Sequence, residues 1–323
     1  MSRSTQVPGV ADEGIRRGRG RSGTPGKGGT VAARIDAHQH FWDPTRAYYP
    51  WMSTAPDVLR RPYGPADLRQ ALAGLDIDAT ILVQTRSSLD ETRQLLSTAA
   101  EEDLVAGVVG WVDLTARDVA ETLAWLRQGP GGDRLVGIRH QANEEPDPGW
   151  LCRADVRRGI AAVRDAGLCF DLLVWPREMP AALALVAQMP DVPFVLDHMG
   201  KPAVRAGLDE AWVRAIGDIG RLDNCSAKLS GIVNEADPLG RTSDVLRPFV
   251  DVVLDSFGSG RVMFGSDWPV CLAATTYEKW LRCVEQLTDG LSGPEKADLF
   301  GGTVARVYRP PRAAFVEARH DAW

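Results

Sequence analysis

The chain has 323 residues, of which 44% are hydrophobic and 25% charged. This composition is typical of a globular protein with a sizeable core and excludes a wholly disordered or fibrous chain. The net charge of −6 is uneven, because residues 1–30 carry six basic and two acidic residues and the rest is acidic. An acidic body disfavours nucleic-acid binding, and no run approaches the ~18 apolar residues of a membrane-spanning helix.

The five cysteines are odd in number and form no CxxC pair. Neither a zinc finger nor a disulfide framework is therefore indicated, and a reducing compartment fits best. No apolar run of the kind found in a signal peptide follows the arginine-rich start. We therefore expect a cytoplasmic protein.

Residues 1–30 consist mainly of Gly, Arg, Ser and Thr. Because such a segment buries too little surface to offset its ordering entropy, we predict a disordered basic tail, followed by one domain over residues 31–323. Two alternatives remain open for the tail. In the first, the tail is a basic arm that contacts RNA or a membrane surface. In the second, translation naturally begins further along the chain and the segment is not part of the native protein.

From Arg34 onward, short β-rich runs alternate with segments of helical periodicity. The predicted strands are Ile35–His38, Ala79–Val83, Leu104–Trp111, Leu135–Arg139, Cys169–Val174, Phe194–Asp197, Cys225–Leu229 and Val262–Asp267. The predicted helices are Pro65–Ala73, Leu89–Glu102, Ala116–Leu126, Val156–Ala166, Met179–Gln188, Asp209–Ile219, Ser243–Phe257 and Tyr277–Leu287. The strands are near-continuous apolar runs, as in parallel strands covered on both faces. Eight such pairs predict an α/β single-domain (β/α)8 TIM barrel. A doubly wound sheet is the alternative, although no GxGxxG motif follows any strand.

A barrel of this kind places its active residues at the carboxyl ends of the strands. The first strand leads through Asp36 and His38 to His40, and period-two alternation puts these three side chains on one face. Two imidazoles so placed can ligate one metal ion or polarise one carbonyl group. A plain hydrogen-bonded histidine pair is the alternative.

Two further strands also end in ionisable residues. The sixth leads into His198 and a glycine turn, and the eighth ends at Asp267. Asp267 fits a helix N-cap, a general base or a metal ligand, and Pro269 close behind it favours a loop. Together with the histidine pair, these residues form the set that a hydrolase needs.

Five motifs in chain order now give the sequence a family resemblance. They are Asp-Ala-His38-Gln-His40-Phe-Trp42, Gly137-Ile-Arg139-His140, Leu-Asp-His198-Met-Gly-Lys201-Pro, Lys-Leu-Ser230-Gly and Phe-Gly-Ser-Asp267-Trp-Pro-Val. The chain resembles the amidohydrolase-related, metal-dependent hydrolase barrels from about residue 34 to Tyr308. Within them it is most similar to the lactonase branch that acts on sugar-acid, muconolactone and dicarboxylate lactones.

The resemblance implies catalytic roles, and roles as metal ligands, for His38, His40, His198 and Asp267. Binuclear members of the superfamily carry a lysine or histidine at the end of the fifth strand, where this chain has only Asp171 as an ionisable group. The resemblance thus implies one zinc-like ion at most and no carboxylated-lysine bridge. Metal-independent catalysis remains equally open, because some lactonases of this branch work without a metal.

The expected reaction is hydrolysis of a lactone ester bond. Asp267 takes a proton from the attacking water, and the three histidines bind a metal ion or donate hydrogen bonds to the oxyanion. Arg139 suits a carboxylate or vicinal hydroxyls, with a rim ion pair as the alternative. His140 and Lys201 are weaker candidates for the same role.

Aromatic residues are dense after the first strand. Trp42 and Tyr49 belong to this loop, and Trp268 follows the eighth strand. We predict that these rings line a substrate pocket for a small polyol lactone or a planar acid.

Two other functions remain open. One is zinc-dependent non-oxidative decarboxylation of an aromatic or semialdehyde acid, which related barrels carry out. The other is a non-catalytic barrel that binds sugar acids. The expected partner is a small-molecule lactone, with no nucleic acid and no membrane, and self-association into a homo-oligomer is left open.

Overall fold

The computed structural model describes Met1 and residues 33–235 and 242–311. The predicted tail over residues 1–30 therefore lies outside the described residues, apart from Met1. The proposed domain boundary near residue 31 remains a prediction.

Eight parallel strands pair in chain order, each with its neighbours in sequence. They are β1 (Ile35–Gln39), β2 (Ala79–Val83), β3 (Val105–Gly110), β4 (Leu135–His140), β5 (Cys169–Leu172), β6 (Phe194–Leu196), β7 (Cys225–Leu229) and β8 (Val262–Phe264). Beyond β8, the Asp267 amide donates to the carbonyl of His38 (2.8 Å), and the His40 amide donates to that of Trp268 (2.7 Å). These bonds join the last strand to the first, and the predicted TIM barrel is confirmed.

A helix follows each strand. The helices are α1 (Pro65–Leu72), α2 (Leu89–Glu101), α3 (Val119–Gln128), α4 (Ala154–Asp165), α5 (Met179–Gln188), α6 (Glu210–Gly220), α7 (Thr242–Phe257) and α8 (Tyr277–Leu287). Two short helices then follow, α9 (Gly293–Ala297) and α10 (Thr303–Val307), separated by a π-helical turn. All eight predicted helices are present, with ends shifted by at most three residues. None in the described part of the chain is long and apolar enough to cross a membrane.

Polar side chains determine where several helices begin. Ser88 accepts a hydrogen bond from the Glu91 amide at the start of α2, and Thr276 accepts one from the Lys279 amide at the start of α8. Such N-caps satisfy backbone donors that have no partner within the helix. They fix the ends of the βα loops, which carry the polar residues described below.

The core has two layers. The inner layer draws apolar side chains from seven of the eight strands, together with Val304 and Tyr308 from the C-terminal segment. The outer layer lies between the strands and the surrounding helices. Since the barrel interior is filled in this way, it is a packed core, and the cavity lies at its mouth.

Four strands, β3, β5, β6 and β8, end one to three residues earlier than predicted, and for two of them a backbone turn is the reason. β6 stops at Leu196 and β8 at Phe264, because the backbone turns into the left-handed region at His198 (φ 53°) and Asp267 (φ 54°). The apolar runs extend through these turns, so hydrophobicity alone overestimates the strand length. The turns release His198 and Asp267 from the sheet and direct them towards the barrel mouth.

Candidate active site

His38, His40 and Asp267 meet at the carboxyl end of the barrel. The Nε2 atoms of the two histidines lie 3.1 Å apart. Asp267 Oδ1 lies 3.2 Å from His40 Nε2 and 3.7 Å from His38 Nε2. All three residues are almost fully buried. Two residues of β1 and its loop thus meet the residue that follows β8, as the sequence predicted.

Backbone contacts orient two of these three side chains. His40 Nδ1 lies 2.7 Å from the carbonyl oxygen of Val83, which can only accept, so Nδ1 carries the proton. The other ring nitrogen of His40, Nε2, faces Asp267 Oδ1 and His38 Nε2. Asp267 is itself held by the bond from its amide to His38.

Asp36 does not join this group, contrary to the predicted alternation. The register of the β1–β2 pairing shifts between Asp36 and Gln39, which breaks the strict period of two. The Asp36 carboxylate instead accepts from the Tyr277 hydroxyl at the start of α8 (2.9 Å) and from the Ser266 amide (2.8 Å). Burial raises the pKa of Asp36 to about 6.

His198 approaches the site from the loop after β6. Its ring lies 4.5 Å from that of His38, centroid to centroid, and its Nδ1 lies 2.8 Å from the Ser230 hydroxyl. Gly231 passes so close that a Cβ there would lie 2.3 Å from His198 Nδ1. Burial lowers the pKa of His198 to about 3, so the ring is neutral at physiological pH.

Sequence reasoning missed a buried ionic cluster beneath the histidines. The Lys228 ammonium of β7 lies 2.6 Å from Asp171 Oδ2, 3.0 Å from Asp197 Oδ1 and 3.2 Å from His38 Nδ1. The hydroxyl of Tyr308 donates to Asp171 Oδ2 (2.7 Å). All five of these side chains are buried. The available signal was an ionisable residue inside an apolar strand, since Lys228 and Asp171 both interrupt such runs.

The two carboxylates of this cluster differ in proton affinity. Burial raises the pKa of Asp171 to about 6. Burial also acts on Asp197, but the neighbouring Lys228, His38 and Arg139 hold its pKa well below the usual range. Asp197 therefore stays ionised and pairs with the Lys228 ammonium and the Arg139 guanidinium.

Arg139 lies between the cluster and the cavity. Its Nη1 donates to Asp197 Oδ2 (2.8 Å) and lies 3.3 Å from His38 Nε2, while its Nη2 donates to the backbone carbonyl of Gln84. Arg139 is only 3% exposed but still lines the cavity. The sequence offered substrate binding and an ion pair as alternatives for Arg139. The structure is compatible with both, because the guanidinium pairs with Asp197 and also lines the cavity.

A cavity of about 540 Å³ opens above these groups. The ionisable residues that line it are His40, Arg139, His198, Lys201, Arg205 and Asp267. Its aromatic wall consists of Trp42, Trp51 and Trp175. A cavity of this size, with aromatic walls and a polar floor, is typical of a small-molecule site.

Three predicted substrate-binding residues lie outside this lining. The His140 ring stacks on that of Trp150, with the ring centroids 4.0 Å apart, and its Nε2 lies 2.8 Å from Glu145 Oε1. These contacts hold the ring outside the cavity lining. Tyr49 lines a separate depression, and Trp268 is buried against Tyr63 (ring centroids 5.4 Å apart). We therefore assign no substrate contact to His140, Tyr49 or Trp268, whereas Arg139, Lys201 and Trp42 keep their candidate roles.

The donor set of His38, His40 and Asp267 fits a single divalent ion. Zinc bonds of 2.0–2.1 Å in a tetrahedral site place neighbouring ligand atoms about 3.3 Å apart. The three separations here, 3.1, 3.2 and 3.7 Å, bracket that value. The proton on His40 Nδ1 is bound by Val83, as in many metal-binding histidines. His198 belongs to a second possible group, with His38 and Asp197.

Comparison with known proteins agrees with this architecture. The chain is 40% identical over 295 residues to an L-fucono-1,5-lactonase of Burkholderia multivorans, covering 88% of this chain and 98% of that protein. It is 38% identical over 285 residues to an L-fucono-1,5-lactonase of Burkholderia ambifaria, covering 86% and 96%. It also resembles the crystal structure of a Burkholderia multivorans amidohydrolase with bound zinc, with a TM-score of 0.82, 40% identity, and coverage of 87% of this chain and 100% of that one.

The family match spans almost the whole described barrel, since a model of the amidohydrolase family matches residues 35–309. The resemblance predicted from the five motifs is confirmed, as is the general class of hydrolase. The chain belongs to the amidohydrolase family.

Proposed function

We propose that this protein opens the ester bond of a small sugar-acid lactone by attack of water on the carbonyl carbon. The observation that carries the proposal is the convergence of His38 Nε2, His40 Nε2 and Asp267 Oδ1 at the base of the cavity, which His40 and Asp267 line. The similarity to two L-fucono-1,5-lactonases supports the substrate class.

Asp267 is the general base of this reaction. Although burial acts against the charged form, the neighbouring histidines, His198 first, hold the pKa of Asp267 well below its usual range. The carboxylate is therefore ionised throughout the physiological range. It accepts a proton from water as the water attacks, and later returns that proton to the ring oxygen that leaves.

The histidines stabilise the charge that develops on the carbonyl oxygen. A divalent ion held by His38, His40 and Asp267 would act as a Lewis acid and lower the pKa of water. His198, held at Nδ1 by Ser230, presents the other edge of its ring to the cavity and contributes a hydrogen bond to the substrate.

The cavity walls orient the lactone. Trp42, Trp51 and Trp175 offer aromatic faces to a sugar ring. Lys201 and Arg205 supply positive charge, and within the described residues neither side chain has an ion-pair partner. Ring opening creates a carboxylate, so these two cations bind the product more tightly than the neutral substrate.

A pH-indicator screen of aldonolactones and muconolactone-type acids, run with and without chelator, tests the proposal. We expect hydrolysis of at least one sugar-acid lactone, and its loss in Asp267→Asn with the fold intact. Release of carbon dioxide from aromatic acids in place of lactone opening would favour a decarboxylase. Binding of sugar acids without turnover would favour a non-catalytic barrel. Oligomeric state and a cytoplasmic location stay predictions.

A further inference from the structure

His140 lies in the chain between two residues that line the cavity, and three side chains hold its ring. Trp111, which follows β3, donates from its indole Nε1 to His140 Nδ1 (3.0 Å). On the other side of the ring, His140 Nε2 lies 2.8 Å from Glu145 Oε1. Trp150 stacks on the ring with an interplanar angle of 12°. These contacts fix both the position and the orientation of the imidazole.

The partners of the ring determine which nitrogen carries its proton. An indole N–H can only donate, so Nδ1 of His140 accepts and carries no proton. Nε2 therefore carries the proton and donates it to the Glu145 carboxylate. Burial lowers the pKa of His140, which keeps the ring in this neutral form. Because an ionised acceptor makes a hydrogen bond about twice as strong as a neutral one, the bond to Glu145 is the stronger of the two.

This bond joins the two ends of a short turn that forms part of the cavity wall. Between His140 and Glu145 the chain makes the 3-10 turn Ala142–Glu144. Gln141 and Asn143, within the same span, both line the cavity. We call residues 141–145 the wall turn. Since the bond from His140 closes it, the bond restricts the movement of both cavity residues.

Two further hydrogen bonds attach the wall turn to the rest of the barrel. The Asn143 amide donates to the carbonyl of Leu173 (3.3 Å), and Arg177 Nη2 donates to the carbonyl of Glu145 (2.8 Å). The Arg177 side chain is exposed, whereas His140 is buried. The buried side-chain bond that holds the far end of the turn is therefore the one from His140.

Gln141 and Asn143 give this side of the cavity a neutral polar surface. Each carboxamide has both donors and an acceptor, so it can pair with a hydroxyl group in either sense. A sugar-acid lactone carries several hydroxyl groups besides its ester. The groups assigned to the reaction, His40, His198 and Asp267, lie outside the wall turn. The wall turn is thus suited to bind the part of the lactone that does not react.

We propose that His140 is a positioning residue, whose bond to Glu145 holds the wall turn so that Gln141 and Asn143 bind the hydroxyl groups of the lactone. The inference rests on the proposed function for the nature of this ligand. A wall turn freed at one end must be ordered again when the substrate binds, which weakens binding. Contacts to groups that do not react are equal in the ground state and the transition state, so their loss raises KM and leaves kcat unchanged.

The main experiment breaks the bond at its partly exposed end. In Glu145→Ala, we expect KM for a six-carbon aldonolactone to rise about tenfold and kcat to stay within about twofold. Glu145→Gln keeps an oxygen acceptor for His140 Nε2 and should restore most of the KM. Glu101→Ala removes the same charge at an exposed position of α2, and it is the matched control that should change neither constant.

The conservative variant separates the hydrogen bond from the charge. If Glu145→Gln raises KM as much as Glu145→Ala does, the effect is electrostatic and the proposal is wrong. An unchanged KM in Glu145→Ala would show that the bond serves only the structure of the turn, and a fall in kcat alone would place the effect on the reaction. Either result also overturns the proposal.

A double-mutant cycle tests whether His140 acts through Glu145. His140→Phe keeps a ring to stack on Trp150 and removes both hydrogen bonds of the imidazole. If the two residues act as one unit, the double variant His140→Phe/Glu145→Ala should have the KM of His140→Phe alone. Multiplied effects of the two substitutions would show independent roles and refute the proposal. Should His140→Phe fail to fold, the comparison of Glu145→Ala with Glu145→Gln decides.

Calorimetric titration with the corresponding hydroxy acid separates this inference from the proposed function. We expect Glu145→Ala to bind the acid about tenfold more weakly than the unmodified protein does. Such weakening in a protein that opens no lactone would refute lactone hydrolysis and support the role of His140. Normal hydrolysis with unchanged KM and unchanged binding in Glu145→Ala would do the reverse. A protein that neither opens lactones nor binds sugar acids would overturn both.

Discussion

Gly231 is the position where a single methyl group tests the site. Its φ is +65°, and a Cβ would lie 2.3 Å from His198 Nδ1 and 2.6 Å from Cγ of the same ring. To restore an ordinary contact distance, the imidazole must retreat by about 1 Å, which breaks its hydrogen bond to Ser230. Gly231→Ala therefore moves a catalytic group without changing its chemistry.

The magnitude follows from that displacement. A misplacement of about 1 Å in a catalytic arrangement costs on the order of 100-fold in rate. The left-handed backbone adds about 1–2 kcal/mol of strain for a residue with a Cβ. We expect kcat/KM for the lactone to fall by about 100-fold, with a melting temperature lowered by several degrees.

Gly258 provides the matched control. Its φ is +70°, and nothing lies within 4 Å of a Cβ built there. Gly258→Ala should lower the melting temperature through the same backbone strain and leave kcat/KM near the value of the unmodified protein. Equal losses of activity in both alanine variants would refute the reasoning, as would full activity in a folded Gly231→Ala protein.

Three further predictions concern the base, the cavity and the buried cluster. Asp267→Asn should lower kcat by about 10²–10⁴-fold, while the circular dichroism spectrum is retained because asparagine tolerates a φ of 54°; unaltered kcat would exclude Asp267 as the base. Lys201→Met should raise the inhibition constant of the hydroxy-acid product more than the KM of the neutral lactone, and equal changes would remove its proposed role. Tyr308→Phe removes a donor from buried Asp171 and should lower the free energy of unfolding in urea by about 1–3 kcal/mol. Tyr48→Phe, at an exposed tyrosine, serves as the control, and an equal effect there would contradict the last prediction.

The fold was readable from the sequence because each strand of this barrel is buried on both faces. Continuous apolar runs therefore located all eight strands, with their ends shifted by at most three residues. The short helices Gly293–Ala297 and Thr303–Val307 were not predicted, because segments of five residues carry too little periodicity. The shifted register within β1 was also invisible, since the sequence pattern assumes regular alternation.

The site was readable in part. His38, His40, His198 and Asp267 stand at strand ends, where a barrel collects its chemistry, and they do converge. The contacts of Lys228 were not readable, because they depend on which strand interiors face one another across the barrel. Neither the hydrophobic pattern nor the residue propensities give the distance between side chains on different strands of the barrel.

The geometry of the barrel mouth depends on a backbone feature that sequence reasoning treats as rare. Four of the five non-glycine residues with positive φ in the described chain follow β6 and β8: His198, Met199, Lys201 and Asp267. Each costs conformational energy that surrounding contacts must offset. For Asp267 the offset includes the bond from its amide to His38, so the bond that closes the barrel also fixes the proposed base. Histidine and aspartate enter this region more readily than most residues, which reconciles their chemistry with the turn. A glutamate at position 267 would be unsuitable for two reasons. It enters the left-handed region less readily than aspartate, and its longer side chain would carry the carboxylate past the two histidines.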